Sequence, residues 1–288
     1  MRAQAVAEQG ECSVERVAYA YLSRAASAVP GGGGLVWSLI AAHGPVDAAA
    51  MLRRGTLASG AESPDALRAL AVAAERAGDH ATADLAFIAR LGGRLVTPDD
   101  AEWPASLERL AQRPQRPVGA LDELWRESRP VALWVLGDEP LNGLLQRSVA
   151  CSGTRAPSSY GEVIADQLGG ELAARRYTVV TGGGYGIDGA AMRGALGRIS
   201  EHEPHVTGAS VSVVPCGLDR PYPAGHAGLF RRARAERGVV VSEYPPGVVP
   251  SRFRSMDARR LVGTLAGALV VVEAGARSGV LEVARWAG

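Results

Sequence analysis

The sequence contains no lysine, so all 31 basic residues of the 288-residue chain are arginines. A P-loop NTPase needs a lysine to contact the nucleotide phosphates, and a Schiff-base enzyme needs one to form its covalent adduct. The absence of lysine therefore excludes both of these classes. Exclusive use of arginine also fits a GC-rich genome, an explanation that involves no function.

A large charge imbalance and a long apolar segment are missing as well. The formal net charge is +1, so any surface that binds nucleic acid has to be a local patch. No run of apolar residues predicts a transmembrane helix, and residues 1–11 are polar and mixed, unlike a signal peptide. We therefore expect a cytoplasmic protein that does not associate with membranes.

Cysteine is scarce, with three residues in the whole chain. Cys12, Cys151 and Cys216 do not have the spacing of metal ligands. Cys151 and Cys216 fall in apolar strand patterns, which predicts buried, reduced and structural thiols. We expect neither a metal nor a cofactor.

Helical patterns cover residues 1–92. Apolar residues recur at helical spacing from Val14 to Ala28, and a helix is predicted to resume at Leu35 after the break formed by Pro30 and the glycines 31–34. Such a glycine turn can present amides to a DNA phosphate, as helix-hairpin-helix modules do. It lacks the apolar residue that usually separates the glycines, so a packing or partner role is the favoured interpretation.

Apolar strands alternate with helices in the rest of the chain. Residues 94–97 and 131–136 predict two strands, and the alternation becomes regular from Ser148 onward. Continuous Val, Ile and Leu runs between helices indicate a doubly wound parallel sheet that is covered on both faces. We therefore predict an α/β fold with two domains, a small all-helical one at 1–92 and the sheet at 93–288.

One segment, TVVTGGGYGIDGAAMRGAL at 178–196, predicts a buried strand, a glycine loop and a helix start. This geometry holds anionic groups in α/β folds. We expect Asp188 to be the N-cap of the helix. Because tight packing between a strand and a helix also needs glycine, the loop alone does not establish a function.

Four strand ends share glycines, small hydroxyls and arginines, at 152–155, 182–188, 217–220 and 275–279. Ligands of doubly wound sheets bind at the carboxyl ends of strands, and this composition suits phosphate. From Asp219 to Arg260, nine arginines accompany four acidic residues, with Arg252, Arg254, Arg259 and Arg260 close together. The local excess of positive charge favours a polyanion over a mononucleotide.

These motifs resemble the DNA-processing protein A family, DprA or Smf, and its actinobacterial members in particular. The segments that carry the resemblance are SGTRAPSSYG at 152–161, TGGGYGIDGAAMRGAL at 181–196, PCGLDRPYPAGHAGLF at 215–230, VSEYPPG at 241–247 and VVEAGARSG at 271–279. The resemblance extends over residues 94–288, and the helical N-terminus is similar to the family's sterile-alpha-motif-like domain.

The resemblance implies a protein that is not an enzyme and that binds single-stranded DNA on an extended Rossmann-like domain. The family protects DNA and assists loading of the RecA recombinase in natural transformation and homologous recombination, commonly as a homodimer. Arg155 matches the arginine of the family's G-[ST]-R motif, and Arg260 matches the last arginine of its F-P-x-R-N-R segment. Ser278 and Gly279 match its S-G pair.

The predicted site combines the glycine loop, the neighbouring strand ends and the arginine cluster, with no catalytic or metal-binding residue. Its DNA- and phosphate-binding residues are Ser152, Gly153, Thr154, Arg155, Gly182, Gly183, Gly184, Tyr185, Gly186, Asp188, Arg252, Arg254, Arg259, Arg260, Ser278 and Gly279.

Departures from the family pattern leave alternatives open. Residues 255–260 read SMDARR where the family has F-P-x-R-N-R, and the chain ends before the winged-helix domain of many members, as a truncated or divergent form would. One alternative is a LOG-like nucleotide phosphoribohydrolase, although Glu282 lies one position short of the glutamate that this class requires. A divergent module that has lost DNA binding is the other.

Overall fold

The computed structural model describes residues 13–56, 64–112, 129–197, 209–275 and 279–287. Four helices form the N-terminal part: α1 (Val14–Ser27), α2 (Gly32–Arg54), α3 (Pro64–Ala77) and α4 (Ala81–Arg90). The hydroxyl of Ser13 caps α1 by accepting the Arg16 amide at 3.1 Å. The helical character predicted for this region is confirmed in the described residues.

The start of α2 differs from the prediction. The helix begins at Gly32 rather than at Leu35. Glycine is disfavoured inside a helix, but it is needed where the backbone approaches a neighbour closely. A Cβ at Gly32 would lie 2.3 Å from the carbonyl oxygen of Ala26 in α1. The glycine turn is therefore partly a packing device.

By length and composition, α2 is the one helix of the described chain that could cross a membrane. Its backbone leaves the helical conformation at Gly44, where φ is 76° and ψ is 165°, directly before Pro45. A membrane-spanning helix needs about 20 consecutive residues. Neither Gly32–His43 nor Pro45–Arg54 reaches that length, and Val36 and Leu52 on the two parts are buried in the core.

Seven strands form one sheet in the order β1-β2-β6-β5-β4-β3-β7. The strands are β1 (Gly93–Val96), β2 (Leu133–Leu136), β3 (Ser148–Ser152), β4 (Thr178–Thr181), β5 (Ser210–Val213), β6 (Val239–Ser242) and β7 (Ala268–Val271). Strands β3 to β7 pair in parallel, whereas β1 pairs with β2, and β2 with β6, in antiparallel fashion. The predicted α/β class is confirmed, with two antiparallel strands at one edge.

Helices cover both faces of this sheet. They are α5 (Ala105–Gln112), α6 (Leu141–Leu145), α7 (Ser159–Ala174), α8 (Ile187–Gly197), α9 (Ala227–Ala235), α10 (Arg252–Leu265) and α11 (Val280–Trp286). Alternation along β2 shows the two faces, because Trp134 packs with the N-terminal helices while Leu133 and Val135 pack with α10. The N-terminal helices thus share a hydrophobic cluster with one face of the sheet.

The sheet changes its winding direction at β3. This strand pairs with β4 on one side and with β7 on the other. The connections from β3 through β6 proceed toward one edge, and β7 returns to the opposite side of β3. Ligand sites of doubly wound sheets lie at the carboxyl ends of strands beside such a reversal.

Candidate functional site

A cavity of about 200 Å³ lies at the carboxyl ends of β3, β4 and β5 and is walled by α10. We call it the strand-end pocket. Nine of the predicted site residues line it: Ser152, Gly153, Arg155, Gly182, Gly184, Tyr185, Asp188, Arg259 and Gly279. Residues far apart in the sequence meet there because parallel strands place their carboxyl ends at one edge of the sheet.

The glycine loop is held in shape by Asp188. The helix α8 begins at Ile187, so Asp188 lies inside its first turn, and the prediction that it is the N-cap is wrong. Its carboxylate accepts the Gly182 amide at 3.1 Å and the Ser152 hydroxyl at 3.2 Å. The Gly183 amide donates to Thr181 Oγ1 at 3.0 Å. These two loop amides are therefore used inside the protein.

Burial raises the pKa of Asp188 to about 6, and the hydrogen bonds from Ser152 and Gly182 oppose that rise. The positive charge of Arg259 opposes it as well. The Asp188 carboxylate consequently carries a negative charge at neutral pH, and it loses this charge as the pH falls through about 6.

Two positions of the loop require glycine because of their backbone conformation and their close contacts. Gly186 has a φ of 77°, and a Cβ there would lie 2.3 Å from the carbonyl oxygen of Thr154. Gly183 has a φ of 63° and lies against the ring of Phe230. Thr154, Gly183 and Gly186 do not line the strand-end pocket; they join the ends of β3 and β4 into its wall.

The start of α7 is also occupied by a side chain of the protein. Ser158 caps the helix by accepting the Gly161 amide at 3.0 Å. Glu273, at the end of β7, accepts the Ser158 amide at 3.1 Å and the Ser158 hydroxyl at 2.8 Å. This role of Glu273 was not predicted from the sequence. Its position directly after an apolar strand was the signal, but the pairing of β3 with β7 was needed to place it.

Two arginines supply positive charge to the strand-end pocket. Arg155 is exposed and Arg259 is partly exposed, and no carboxylate of the described residues forms an ion pair with either. The side chain of Tyr185 is 45% exposed at the rim, with the Arg155 Cζ atom 6.0 Å from its ring centroid. This combination can contact both a phosphate and a flat aromatic ring.

The predicted arginine cluster divides between two sides of α10. Arg259 faces the strand-end pocket together with Ser255 and Ala258. Arg254, Asp257 and Arg260 follow one another at intervals of three residues and therefore share one face of the helix. They line a second cavity. Arg252 is exposed and lines neither cavity.

Arg260 is almost completely buried, with 4% of its surface exposed. It forms an ion pair with Glu243 at 2.5 Å, and burial raises the pKa of Glu243 to about 7 against the opposing charge of Arg260. The structure therefore does not bring Arg260 to the strand-end pocket. Ser278, the remaining predicted residue, lies outside the described residues.

The strand-end pocket also contains residues that were not predicted from the sequence. Tyr222, Pro223 and Ser255 line it. His226 lies behind the loop, where its Nδ1 atom is 2.9 Å from the carbonyl oxygen of Gly183. The position of Tyr222 and Pro223 after the end of β5 was the available signal. Cys151 and Cys216 are free and buried, which confirms their prediction.

A family model and several individual proteins are similar to this chain in sequence. Residues 94–288 match the family described as DNA recombination-mediator protein A. A putative DNA processing protein DprA from Mycobacterium tuberculosis is 44% identical over 274 residues, covering 94% of this chain and 63% of that protein. Protein Smf from Escherichia coli is 36% identical over 158 residues, covering 55% of this chain and 40% of that protein. This chain thus spans less than two thirds of the length of these relatives.

Solved structures of two similar proteins share the fold. DNA processing protein A from Helicobacter pylori, a structure that concerns its single-stranded DNA binding mode, has a TM-score of 0.51 at 25% identity, covering 67% of this chain and 75% of that one. DprA from Streptococcus pneumoniae has a TM-score of 0.63 at 21% identity, covering 93% of this chain and 82% of that one.

Proposed function

The chain belongs to the DNA recombination-mediator protein A family, and from this membership we propose that it binds single-stranded DNA at the strand-end pocket. The observation that carries the proposal is the placement of Arg155, Arg259 and the exposed Tyr185 around one cavity. The cavity lies beside the reversal of strand order, where folds of this class bind ligands.

Side chains, rather than the amides of the glycine loop, make the contacts in this proposal. Arg155 and Arg259 neutralise phosphates of the strand, and Tyr185 stacks on a base, a contact that tolerates any sequence. The Gly182 and Gly183 amides are already bonded to Asp188 and Thr181. Those two amides shape the floor of the pocket and contribute little direct binding.

Similarity to a structure of a single-stranded DNA-binding relative supports the choice of ligand. Family membership supports the wider role that we propose, in which the protein protects single-stranded DNA and assists RecA loading during recombination and natural transformation, as a cytoplasmic homodimer. It also supports a binding role without catalysis. We further propose that residues 1–92 and 93–288 are its two domains.

Fluorescence anisotropy with labelled oligo-dT tests the site directly. Loss of a charged hydrogen bond costs about 1.5–3 kcal/mol, so Arg155→Ala and Arg259→Ala are each expected to weaken binding about tenfold or more. Each variant should also reduce the slope of log K against log salt by about 0.7, as expected for one lost phosphate contact. Duplex DNA of the same length serves as the ligand control.

Arg231→Ala is the matched control variant, because Arg231 is exposed on α9 and lines neither cavity. It removes the same charge from the protein and should leave affinity close to that of the unaltered chain. Equal oligo-dT affinities for all three variants would refute the site, and no binding by the unaltered chain would refute the function.

A further inference from the structure

A second cavity, of about 150 Å³, lies between the N-terminal helices and α10. The glycine turn Gly31–Gly34 forms one side, and Arg129, Arg254 and Arg260 border the other sides. We call it the interface pocket. The helix α10 separates it from the strand-end pocket, since the two cavities are lined by different faces of that helix.

Arg260 has unused hydrogen-bonding capacity at this pocket. Its Nη2 atom is bonded to Glu243, but its Nε and Nη1 atoms are buried and have no acceptor among the described residues. Buried donors on a charged group are costly to leave without an acceptor. We therefore expect oxygen atoms of a ligand or of ordered water to accept the hydrogen bonds of these two N–H groups.

The start of α2 supplies backbone donors on the opposite side. The Gly32 and Gly34 amides donate to Val29 and Gly31 at 3.1 and 3.2 Å, and the structure gives no acceptor for the Gly33 amide within the described chain. A helix N-terminus favours an anion through its free amides and its dipole. Since these positions are glycines, no side chain keeps an anion away from the backbone.

One positive charge that borders the interface pocket, that of Arg254, has no ion-pair partner among the described residues. Of the pocket's two carboxylates, Glu243 is neutralised by its ion pair with Arg260 at 2.5 Å. Asp257 accepts the Tyr244 hydroxyl at 2.5 Å, which occupies one carboxylate oxygen without cancelling the charge. Arg129 is paired with Glu108 at 2.6 Å. The guanidinium of Arg254 instead donates to the carbonyl oxygens of Val249 and Ser27, at 2.8 and 3.2 Å, so that its positive charge is not neutralised by a described carboxylate.

We propose that the interface pocket binds a phosphate-sized oxyanion, with the first turn of α2 and the unused N–H groups of Arg260 as donors and Arg254 as a source of positive charge. The cavity of about 150 Å³ is smaller than the roughly 300–1,000 Å³ of sites that enclose a drug-sized ligand. It therefore suits a single phosphate group rather than a whole nucleotide. That group is either free phosphate or the terminal phosphate of a DNA strand.

The ligand contacts both the glycine turn and α10 in this proposal, and therefore connects the N-terminal helices to the sheet. Such a ligand stabilises the folded protein in proportion to its concentration relative to its dissociation constant. This linkage holds whether or not the strand-end pocket binds DNA, so the two proposals can fail separately.

Inorganic phosphate is the first probe, compared with chloride at equal ionic strength by thermal unfolding and isothermal titration calorimetry. We expect phosphate to raise the melting temperature more than chloride does. Arg254→Gln and Gly33→Ala are expected to weaken the titrated phosphate binding at least fivefold, while Arg231→Gln leaves it unchanged. Gly33→Ala is the variant least prone to misfolding, because its new methyl would lie 3.5 Å from the nearest atom, the Arg129 carbonyl oxygen, and alanine favours a helix.

Oligo-dT with a 5′-phosphate or a 5′-hydroxyl is the second probe and distinguishes the two sources. Tighter binding of the phosphorylated strand that Arg254→Gln abolishes supports a DNA end as the ligand. Equal binding of both strands, together with phosphate titration that depends on Gly33 and Arg254, supports free phosphate. The proposal is overturned if phosphate and chloride act alike, or if phosphate binding survives in both variants and is lost in Arg155→Ala.

Discussion

Arg259 and Arg260 are adjacent in the sequence but lie in different surroundings. Arg259 borders the strand-end pocket, whereas Arg260 is buried and paired with Glu243. A buried ion pair that loses one partner destabilises a protein strongly, because the remaining charge stays without compensation. Substitutions at the two positions therefore test the proposed DNA binding and the stability separately.

Arg260→Ala is expected to lower the free energy of unfolding by about 3 kcal/mol, measured by urea denaturation. Because the pKa of Glu243 is already raised to about 7 by burial, we expect the additional change Glu243→Gln to restore part of the loss. Arg259→Ala should leave the free energy of unfolding within about 0.5 kcal/mol of the starting value. A stable Arg260→Ala variant would contradict the buried pairing.

We expect Asp188 to make the proposed DNA binding depend on pH. Burial raises its pKa to about 6, so the carboxylate is neutral below that pH and repels phosphate above it. We expect oligo-dT affinity to increase between pH 7.5 and pH 5.5, measured by anisotropy at constant salt. The charged groups that face Asp188 are Arg259 on α10 and Arg155 beyond β3, and arginine keeps its charge throughout this range.

Asp188→Asn is expected to flatten that pH dependence. His226→Gln is the control, since His226 contacts the carbonyl of Gly183 behind the same loop, and it should leave the pH dependence in place. The effect of Asp188 on the free energy of unfolding should have the opposite sign to that of an acid whose pKa is lowered on folding. The folded protein keeps the Asp188 proton up to about pH 6, while the unfolded chain releases it near pH 4, so this group lowers stability as the pH rises through that window.

The helices α7 and α8 pack closely through glycines. A Cβ at Gly194 of α8 would lie 1.8 Å from the carbonyl oxygen of Asp166, and one at Gly169 of α7 would lie 2.0 Å from that of Ala191. The close approach fixes α8, and with it the glycine loop that precedes this helix. Glycine therefore contributes to the site at a distance, through the placement of an element.

Gly194→Ala is expected to destabilise the protein by about 1–3 kcal/mol, since the helices have to separate to admit the methyl group. Gly197→Ala is the control within the same helix, because a Cβ there has no atom within 4 Å. It should be neutral or should stabilise by up to about 1 kcal/mol through helix propensity. Urea denaturation of both variants measures the difference, and equal effects would contradict the close packing.

The N-terminal helices and the sheet are joined by polar contacts as well as by the shared hydrophobic cluster. Arg24 pairs with Asp84 at 2.7 Å and donates to the carbonyl oxygen of Pro246 at 2.8 Å. The Ser23 hydroxyl donates to the carbonyl oxygen of Glu243 at 3.1 Å and accepts the Trp134 indole N–H at 3.1 Å. The two proposed domains are therefore coupled at a buried boundary.

This coupling predicts a single cooperative unfolding transition for the chain. Far-UV circular dichroism and hydrogen exchange of peptides from α1 and β6 should report the same midpoint in denaturant. Loss of protection in α1 at a lower denaturant concentration than in β6 would contradict the prediction and would show that the helical part unfolds separately.

Much of the fold could be predicted from local patterns. The short continuous apolar runs around Val149, Val180 and Val240 predict strands buried on both faces, because helical segments lie between them and cover the sheet. The glycine loop and the strand ends also predicted eight residues of the strand-end pocket, since parallel strands bring their carboxyl ends together, and the arginine cluster predicted the ninth, Arg259.

Three features depended on contacts between distant parts of the chain. Asp188 turns back onto its own loop, Glu273 reaches the start of α7 from β7, and the α10 arginines divide between two cavities. Periodicity specifies that a helix forms, but the elements that pack on each of its sides decide which charges are exposed, buried or paired. The sequence therefore determined the α/β fold and the glycine-, hydroxyl- and arginine-rich composition of the strand ends, and the tertiary structure decided which of those residues stay unpaired at the proposed site.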